Sequence, residues 1–535
     1  MADDPDPDTR AETHRLLDRA GSGDADAARD LADRFAGPLQ FGTAGLRGAL
    51  GAGPNRMNRA VVIRAAAGLA AYLDDHGAGG DDAVVIGYDA RHNSDAFARD
   101  TAAVMRGAGL RAYLFPRPLP TPVLAFAIRH LRCVAGVMVT ASHNPPQDNG
   151  YKVYLGDGCQ IVPPADAEIA AAIAAVPSVS GVRRTDGAEI LGEGVVDAYL
   201  GGVLATLDDG PRHLRVVHTP LHGVGGDLVT RVMRDAGFGD VHPVPGQAEP
   251  DPDFPTVAFP NPEEPGAMDL ALEVARDTAA DLVVATDPDA DRCAVAVPTE
   301  RGWRMLRGDE VGALLGDVLL RRDVKGVYAA SIVSSSLLGR MCARQGVDYV
   351  ETLTGFKWIG RIDGLAFGYE EALGYCVAPH LVRDKDGVSA ALHVADLAAR
   401  LKAEGRSLLD RLDQIAAEYG LHATDQLSVR VTDLTQIGTA MDRLRERPPT
   451  VLGGLSVEHA EDLTEGVAGL PPTDGLRYRL AGGARVIVRP SGTEPKLKCY
   501  LEVVVDVAGS VDAARIAAAG RLDAIRADLA TAAGL

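Results

Sequence analysis

Apolar and polar residues fall along the chain in blocks that repeat one pattern. Short apolar runs at residues 83–88, 214–218 and 325–332 each lead into a polar or Gly-rich turn and then a stretch of helical spacing. The turns are Asp89-Ala90-Arg91-His92-Asn93-Ser94, Thr219-Pro220-Leu221-His222-Gly223 and Val333-Ser334-Ser335-Ser336. Strand, turn and helix at three separated places predict three related α/β domains. From about Asp425 the pattern changes. Residues 427–431, 484–488 and 498–505 read as strands and 511–533 as a closing amphipathic helix, which predicts a smaller α+β domain. Residues 9–36 read as a peripheral helical extension, with Thr9 as N-cap and a break at Gly21-Ser22-Gly23.

At 535 residues with 46% hydrophobic content, the chain is too long for one ordinary domain. The pattern divides it at residues 1–37, 38–208, 209–318, 319–424 and 425–535. The fold class expected is α/β, with mixed sheets in the three related domains.

Charge narrows the possible partners. The 74 acidic and 54 basic residues give a net charge of -20, and no basic block stands out, so a nucleic-acid partner is not expected. A small anion remains possible, because a local cluster of Arg and Lys can hold it inside an acidic protein. The cysteines, Cys133, Cys159, Cys293, Cys342, Cys376 and Cys499, form no C-x-x-C pair, which speaks against a disulfide framework or a zinc knuckle. Scattered cysteines, an acidic N-terminus unlike a signal peptide and the lack of a run of about 18 apolar residues predict a cytoplasmic protein without a membrane partner.

Five segments carry candidate chemistry. Thr140-Ala141-Ser142-His143-Asn144-Pro145 follows the apolar run 133–139, so it leaves the end of a buried strand, where α/β proteins place reactive groups. Ser142 there is either an exposed nucleophile or a turn-capping serine. Asp287-Pro288-Asp289-Ala290-Asp291-Arg292 follows the run 281–285. Its three carboxylates can converge on an extended loop, where they would repel one another without a cation. Hard oxygen ligands of this kind suit Mg²⁺, and the alternative is a solvated acidic turn. The spacing is not that of an EF-hand, since Arg292 and Pro298 stand where its Gly and Glu belong.

Arg489-Pro490-Ser491-Gly492-Thr493-Glu494-Pro495-Lys496 offers backbone N–H groups, hydroxyls and a guanidinium suited to phosphate, or is a plain turn. Gly368-Tyr369-Glu370-Glu371-Ala372-Leu373-Gly374-Tyr375 could grip sugar hydroxyls, or be a solvated acidic pair. Phe41-Gly42-Thr43-Ala44-Gly45-Leu46-Arg47-Gly48 is a Gly-rich loop with one cation, without Walker spacing, and by itself reads as a flexible turn.

Taken in order, these five segments resemble the α-D-phosphohexomutase superfamily, over nearly the whole chain from about Pro38. Asn149-Gly150-Tyr151-Lys152-Val153-Tyr154 and Thr354-Gly355-Phe356-Lys357-Trp358 are similar to its phosphoglucomutase/phosphomannomutase branch, in the longer subgroup that also contains phosphopentomutase-like members. The resemblance implies four domains around one cleft: a phosphoserine domain (38–208), a metal-binding domain (209–318), a sugar-binding domain (319–424) and a phosphate-binding C-terminal domain (425–535).

It further implies that Ser142 carries a phosphate. Asp287, Asp289 and Asp291 would hold one Mg²⁺ together with a phosphoserine oxygen. Lys152 would serve as general base, with His143 and Arg292 beside it. Arg489, Ser491, Gly492 and Thr493 would grip the phosphate that is not transferred. Glu370 would bind sugar hydroxyls, and Arg47, Thr354, Gly355, Lys357, Ala372 and Lys385 would also line the substrate site.

The implied activity interconverts hexose 1-phosphate and hexose 6-phosphate, most naturally of glucose or mannose, through a sugar 1,6-bisphosphate that also acts as activator. The implied assembly is a monomer or homodimer. Ala372 stands where many relatives have Ser, as in pentose-specific members, so a phosphopentomutase is the alternative. A metal-dependent sugar phosphatase is a second one.

Overall fold

The computed structural model describes residues 3–42, 44–431, 435–467, 469–491 and 496–534. The N-terminal extension is a pair of helices, Pro7–Gly21 and Ala25–Arg34, separated at the Gly-Ser-Gly break. The first starts earlier than a Thr9 cap would place it. Asp6 accepts a hydrogen bond from the Asp8 N–H, and Pro7 fits the first helical position, where its missing N–H is no loss. Asp24 caps the second helix through the N–H groups of Asp26 and Ala27.

The first large sheet has six strands in the spatial order Leu46–Ala49, Asp148–Leu155, Ala135–Val139, Ala83–Tyr88, Arg111–Leu114, Glu189–Ile190. Ala83–Tyr88 runs parallel to both Arg111–Leu114 and Ala135–Val139, and Asp148–Leu155 folds back antiparallel. Ala83–Tyr88 and Ala135–Val139 are buried at every position. That explains why they read as continuous apolar runs rather than alternating ones: helices cover both faces of such strands.

The second sheet repeats this plan. Arg215–Thr219 lies parallel to Asp240–Pro243 and Leu282–Thr286, and Cys293–Thr299 returns antiparallel to Leu282–Thr286. A third set follows the same order: Val327–Ser331 lies between and parallel to Tyr349–Thr352 and Leu365–Glu370. The C-terminal sheet differs. Its strands Leu421–Arg430, Lys496–Val505, Arg485–Pro490 and Leu476–Leu480 pair antiparallel in that order. The helices Thr435–Glu446 and Val511–Ala533 share one hydrophobic core with it. The fold is therefore α/β with three mixed or parallel sheets and a smaller C-terminal domain.

The chain forms two compact units, Met1–Leu306 with Leu373–Ala403, and Arg307–Ala372 with Glu404–Leu535. In the first, the helix Gly387–Ala403 packs on the helix Gly226–Asp235 and the strand Leu282–Thr286. Among the described residues no helix is long and apolar enough to cross a membrane.

Candidate active site

In each of the three related sheets a core strand lies between two parallel neighbours, and the turn after that strand braces the loop after the second neighbour to follow it in the chain. The loop after Ala135–Val139 holds Ser142, the loop after Leu282–Thr286 holds the three aspartates, and the loop after Leu365–Glu370 holds Glu371. All three contain a non-glycine residue in the left-handed region: Ser142 (φ 52°), Ala290 (φ 54°) and Leu373 (φ 65°). Such a backbone costs about 1–3 kcal/mol per residue and persists only where the surroundings over-determine it.

In the first unit, Ser142 Oγ donates to Asp287 Oδ2 at 2.8 Å and lies 3.2 Å from His143 Nδ1. One carboxylate oxygen from each of Asp287, Asp289 and Asp291 falls within 4.8 Å of the others, and all three side chains are buried. Asp287 Oδ1 accepts from the Arg292 N–H at 3.1 Å. Asp289 Oδ2 accepts from Thr121 Oγ1 at 2.5 Å and Lys152 Nζ at 2.7 Å, while the Thr121 N–H holds the Asp289 carbonyl at 2.9 Å. Asp291 Oδ2 is shared between Lys152 Nζ at 2.9 Å and Lys385 Nζ at 3.3 Å. Arg292 Nε stands 3.9 Å from Asp287 and 3.8 Å from Asp291. Asp289 Oδ1 and Asp291 Oδ1 are buried without a hydrogen-bond partner among the described residues.

These environments pull Asp287 and Asp291 apart. Burial, with the negative charges of Asp289 and Asp291, pushes the Asp287 carboxyl well above the carboxylate range. Burial would raise Asp291 too, but Lys152, Lys385 and Arg292 outweigh it and hold that carboxyl low. Burial opposes the Lys152 ammonium, and Asp289 with Asp291 more than restores it.

The metal loop is held from two sides. The Val224 N–H donates to the Pro288 carbonyl at 2.8 Å, and a Cβ on Gly223 would lie 2.4 Å from Pro288 Cα. On the other side the Gly387 N–H donates to the Ala290 carbonyl at 3.1 Å, and a Cβ there would meet the Arg292 carbonyl oxygen at 2.2 Å. Both positions require glycine by close approach. Asp384 fixes the nearby Lys385. One of its oxygens accepts from the Lys385 N–H at 2.8 Å and Nζ at 3.3 Å, the other from Tyr154 Oη at 2.7 Å and Gln160 Nε2 at 2.8 Å. Arg47 Nη1 donates to Asn144 Oδ1 at 3.2 Å, and burial lowers its pKa.

In the second unit, Glu370 Oε1 accepts from the Gly355 N–H at 2.7 Å, joining the sugar-loop glutamate to the Thr354-Gly355 turn. Lys357 Nζ lies 5.9 Å over the Trp358 ring. Glu371 Oε2 accepts from Ser331 Oγ and Ser334 Oγ, both at 3.2 Å, and its N–H donates to Ser334 Oγ at 3.0 Å. Burial, then Glu370 and Asp309, raise the Glu371 carboxyl to about 7. The strand carrying Arg489 pairs with the strand carrying Tyr500, whose hydroxyl is pushed up by burial and then by the charge of Glu371. The Ser491 N–H closes on the Lys496 carbonyl at 2.8 Å. Gly492 and Thr493 lie outside the described residues.

Four family descriptions match in succession: phosphoglucomutase/phosphomannomutase alpha/beta/alpha domain I over residues 38–179, domain II over 197–302, domain III over 307–419, and the C-terminal domain over 427–518. A probable phosphomannomutase of Haemophilus influenzae is 48% identical over 454 residues, 83% of this chain and 93% of that one. The chain belongs to the phosphoglucomutase/phosphomannomutase family.

This family member is thus an isomerase, a phosphosugar mutase. It is also 39% identical over 510 residues to a probable phosphoribomutase of Schizosaccharomyces pombe, covering 86% of each chain. A solved structure of a Thermus thermophilus protein, assigned as a phosphomannomutase, superposes with a TM-score of 0.72 at 28% identity, over 92% of this chain and 99% of that one.

Within the mutase, the first unit collects Ser142, His143, Lys152, Arg292, the three aspartates, Arg47 and Lys385. The second carries Thr354, Gly355, Lys357, Glu370, Ala372, Arg489 and Ser491. Sequence reasoning marked Glu371 as one of a glutamate pair but missed its serines, and it missed Arg91, Thr121, Asp384 and Tyr500. Arg91 and Ser334 stood in turns already marked by the repeat. Thr121 and Asp384 belong to no motif, and only the folded chain brings them to the aspartates.

Proposed function

We propose that the protein interconverts hexose 1-phosphate and hexose 6-phosphate, with glucose or mannose as the sugar, through a phosphorylated Ser142 and a sugar 1,6-bisphosphate. The observation that carries this reading is Ser142 Oγ held 2.8 Å from Asp287 at the rim of three converging buried carboxylates.

The same carboxylates fit a hard divalent cation such as Mg²⁺. Asp289 Oδ1 and Asp291 Oδ1 are buried acceptors with no hydrogen-bond partner among the described residues, a condition that costs free energy unless a cation takes them up. Asp287, Asp289 and Asp291 would hold it with a phosphoserine oxygen, and when bound it would neutralise charge on the phosphoryl group.

The chain's own residues supply the rest. Asp287 and His143 orient the Ser142 hydroxyl for in-line transfer. Lys152 serves as general base in this reading, once it has released the proton that Asp289 and Asp291 hold on it. Lys385 and Arg292 offset phosphoryl charge from the other side of the aspartates. Glu370 binds sugar hydroxyls, and Arg489 with Ser491, Gly492 and Thr493 grips the phosphate at rest. The bisphosphate turns over between the two steps, so that either phosphate can face Ser142.

A pentose substrate is the second reading, favoured by Ala372 in the sugar loop. The test of both is ³¹P NMR of the protein with Mg²⁺ and a trace of glucose 1,6-bisphosphate, given glucose 1-phosphate, mannose 1-phosphate or ribose 1-phosphate. Appearance of a hexose 6-phosphate, absent with Ser142→Ala, is the expected result. Turnover of ribose 1-phosphate alone would replace hexose by pentose, and isomerisation surviving in Ser142→Ala would overturn the phosphoserine route.

A further inference from the structure

The carbonyl of Ser142 is tied to the turn at residues 89–94, which takes no part in the chemistry described so far. The Ser142 N–H donates to Thr140 Oγ1 at 2.9 Å, and the Asp89 N–H donates to the Val139 carbonyl at 3.0 Å, at the root of the same loop. The Ser142 carbonyl accepts from Arg91 Nη2 at 2.6 Å. The same nitrogen reaches the Asn144 carbonyl at 2.5 Å, and Nη1 reaches those of Pro145 at 2.8 Å and Asp148 at 3.1 Å. One guanidinium therefore spans the nucleophile loop from end to end.

The guanidinium is itself fixed. Arg91 Nε lies 3.3 Å from Asp89 Oδ2, and its Cζ sits 4.9 Å over the Phe254 ring. Asp89 Oδ1 is occupied by the Arg91 N–H at 3.0 Å and Ser94 Oγ at 2.7 Å. The Arg91 side chain is 0% exposed, so no substrate can touch it. A buried, permanently charged fork whose planar donors match several carbonyls at once is a device that a lysine, with its compact ammonium, cannot reproduce.

We infer that Arg91, oriented by Asp89, is the positioning residue of the nucleophile, an inference that rests on Ser142 being the phosphorylated group. It acts through the loop. By fixing the carbonyls of residues 142–148 it holds Ser142 in its left-handed conformation, with Oγ on Asp287 and beside the aspartate cluster. The bracing of Pro288 by Val224, and of Glu371 by Ser331 and Ser334, places comparable contacts at the matching position of the other two sheets.

The experiment compares Arg91→Lys, Arg91→Ala and Asp89→Asn with the intact chain. Steady-state isomerisation is measured together with single-turnover transfer from glucose 1,6-bisphosphate to dephosphorylated Ser142, followed by intact-protein mass. A displacement of the nucleophile by about 1 Å lowers the rate on the order of 100-fold. The expected result for Arg91→Lys is a loss of that size in kcat and in the transfer rate, with KM for the sugar phosphate unchanged. Arg91→Ala should recover activity with added guanidinium ion and not with ammonium.

Folding is checked by melting temperature. Should an Arg91 variant fail to fold, Asp89→Asn, close in volume, must still show the kcat-only loss. A folded Arg91→Lys or Asp89→Asn protein with wild-type kcat, a KM rise that accounts for the whole loss, or indifference of Arg91→Ala to guanidinium would each overturn the inference. Ser142→Ala run in parallel separates the two readings: its inactivity beside a fully active Arg91→Lys removes only the role of Arg91, and its activity removes the nucleophile itself.

Discussion

The nucleophile loop and the sugar loop occupy the same place in two related sheets, and they are braced in different ways. The first is gripped by a permanent cation on four carbonyls, and its serine hydroxyl donates to Asp287 of the aspartate loop. The second is held by the Ser331 and Ser334 hydroxyls on Glu371, a carboxyl that titrates near 7. Phosphoryl transfer depends on in-line geometry, and a displacement at Ser142 is felt directly in rate. Recognition of sugar hydroxyls works through neutral hydrogen bonds of about 1 kcal/mol each, which tolerate adjustment. On the reading proposed above, the ionic bracing stands at the transferred phosphoryl group and the hydroxyl bracing beside the sugar site.

The comparison can be broken most sharply at Ser142. Ser142→Ala should lower isomerisation by at least about 10⁴-fold, the scale seen when a catalytic nucleophile is removed. Measured by ³¹P NMR, a smaller loss would show that the loop's rigidity serves something other than the serine. Next comes Thr121, which supports Asp289 through both its hydroxyl and its N–H. Thr121→Val should weaken Mg²⁺ binding roughly 10–100-fold, as for other partners that orient a ligand. Titration calorimetry reads this directly, and unchanged affinity would mean that Lys152 and the Thr121 N–H orient Asp289 without the hydroxyl.

Glu371 tests the other side. Its folded pKa of about 7 lies above its ordinary value of 4.5, so the folded state holds the proton more tightly. Stability is fully present below 4.5 and declines as pH rises through the window up to about 7, because the unfolded chain ionises first. Glu371→Gln carries no such proton. Its melting temperature should fall less than the wild type's between roughly pH 5 and pH 8, and parallel curves would show that the serines do not hold a protonated acid. The smallest effect is expected at Tyr154, one of two side chains outside Lys385 that hold Asp384. Tyr154→Phe should cost about 1 kcal/mol in denaturant unfolding and leave Lys385 in place through Gln160.

Much of this was legible before folding, for a physical reason. Buried parallel strands must be apolar throughout, so runs such as 83–88 announce themselves, and the loop after each strand inherits the polar residues. Ser142 and the three aspartates were therefore marked by position as well as by motif. Arg91, Thr121 and Asp384 were not legible, because their meaning lies in contacts across separations of 51, 168 and 230 residues. Thr9 was misread as a helix cap because an acidic Pro-containing segment offers several caps, and Asp6 before Pro7 is the one the chain uses. The repeat supplied a weaker signal that could have been pressed further. A turn that recurs in all three domains and is polar in each has a job to do against the neighbouring loop.

The helix Gly387–Ala403 carries a consequence for how the chain is made. It lies beyond the sugar loop in sequence, yet 14 of its 17 residues are buried, and it packs within the unit that holds the serine and the aspartates. During synthesis the first two sheets emerge from the ribosome well before this helix. The strand Leu282–Thr286 and the helix Gly226–Asp235 then wait with an apolar slot unfilled, the kind of transient surface that engages chaperones or aggregates. Gly387 also completes the clamp on the metal loop, so the reactive centre is assembled only after the third sheet has been translated. A fragment ending at residue 306 would contain Asp287, Asp289 and Asp291 and lack the wall that holds them.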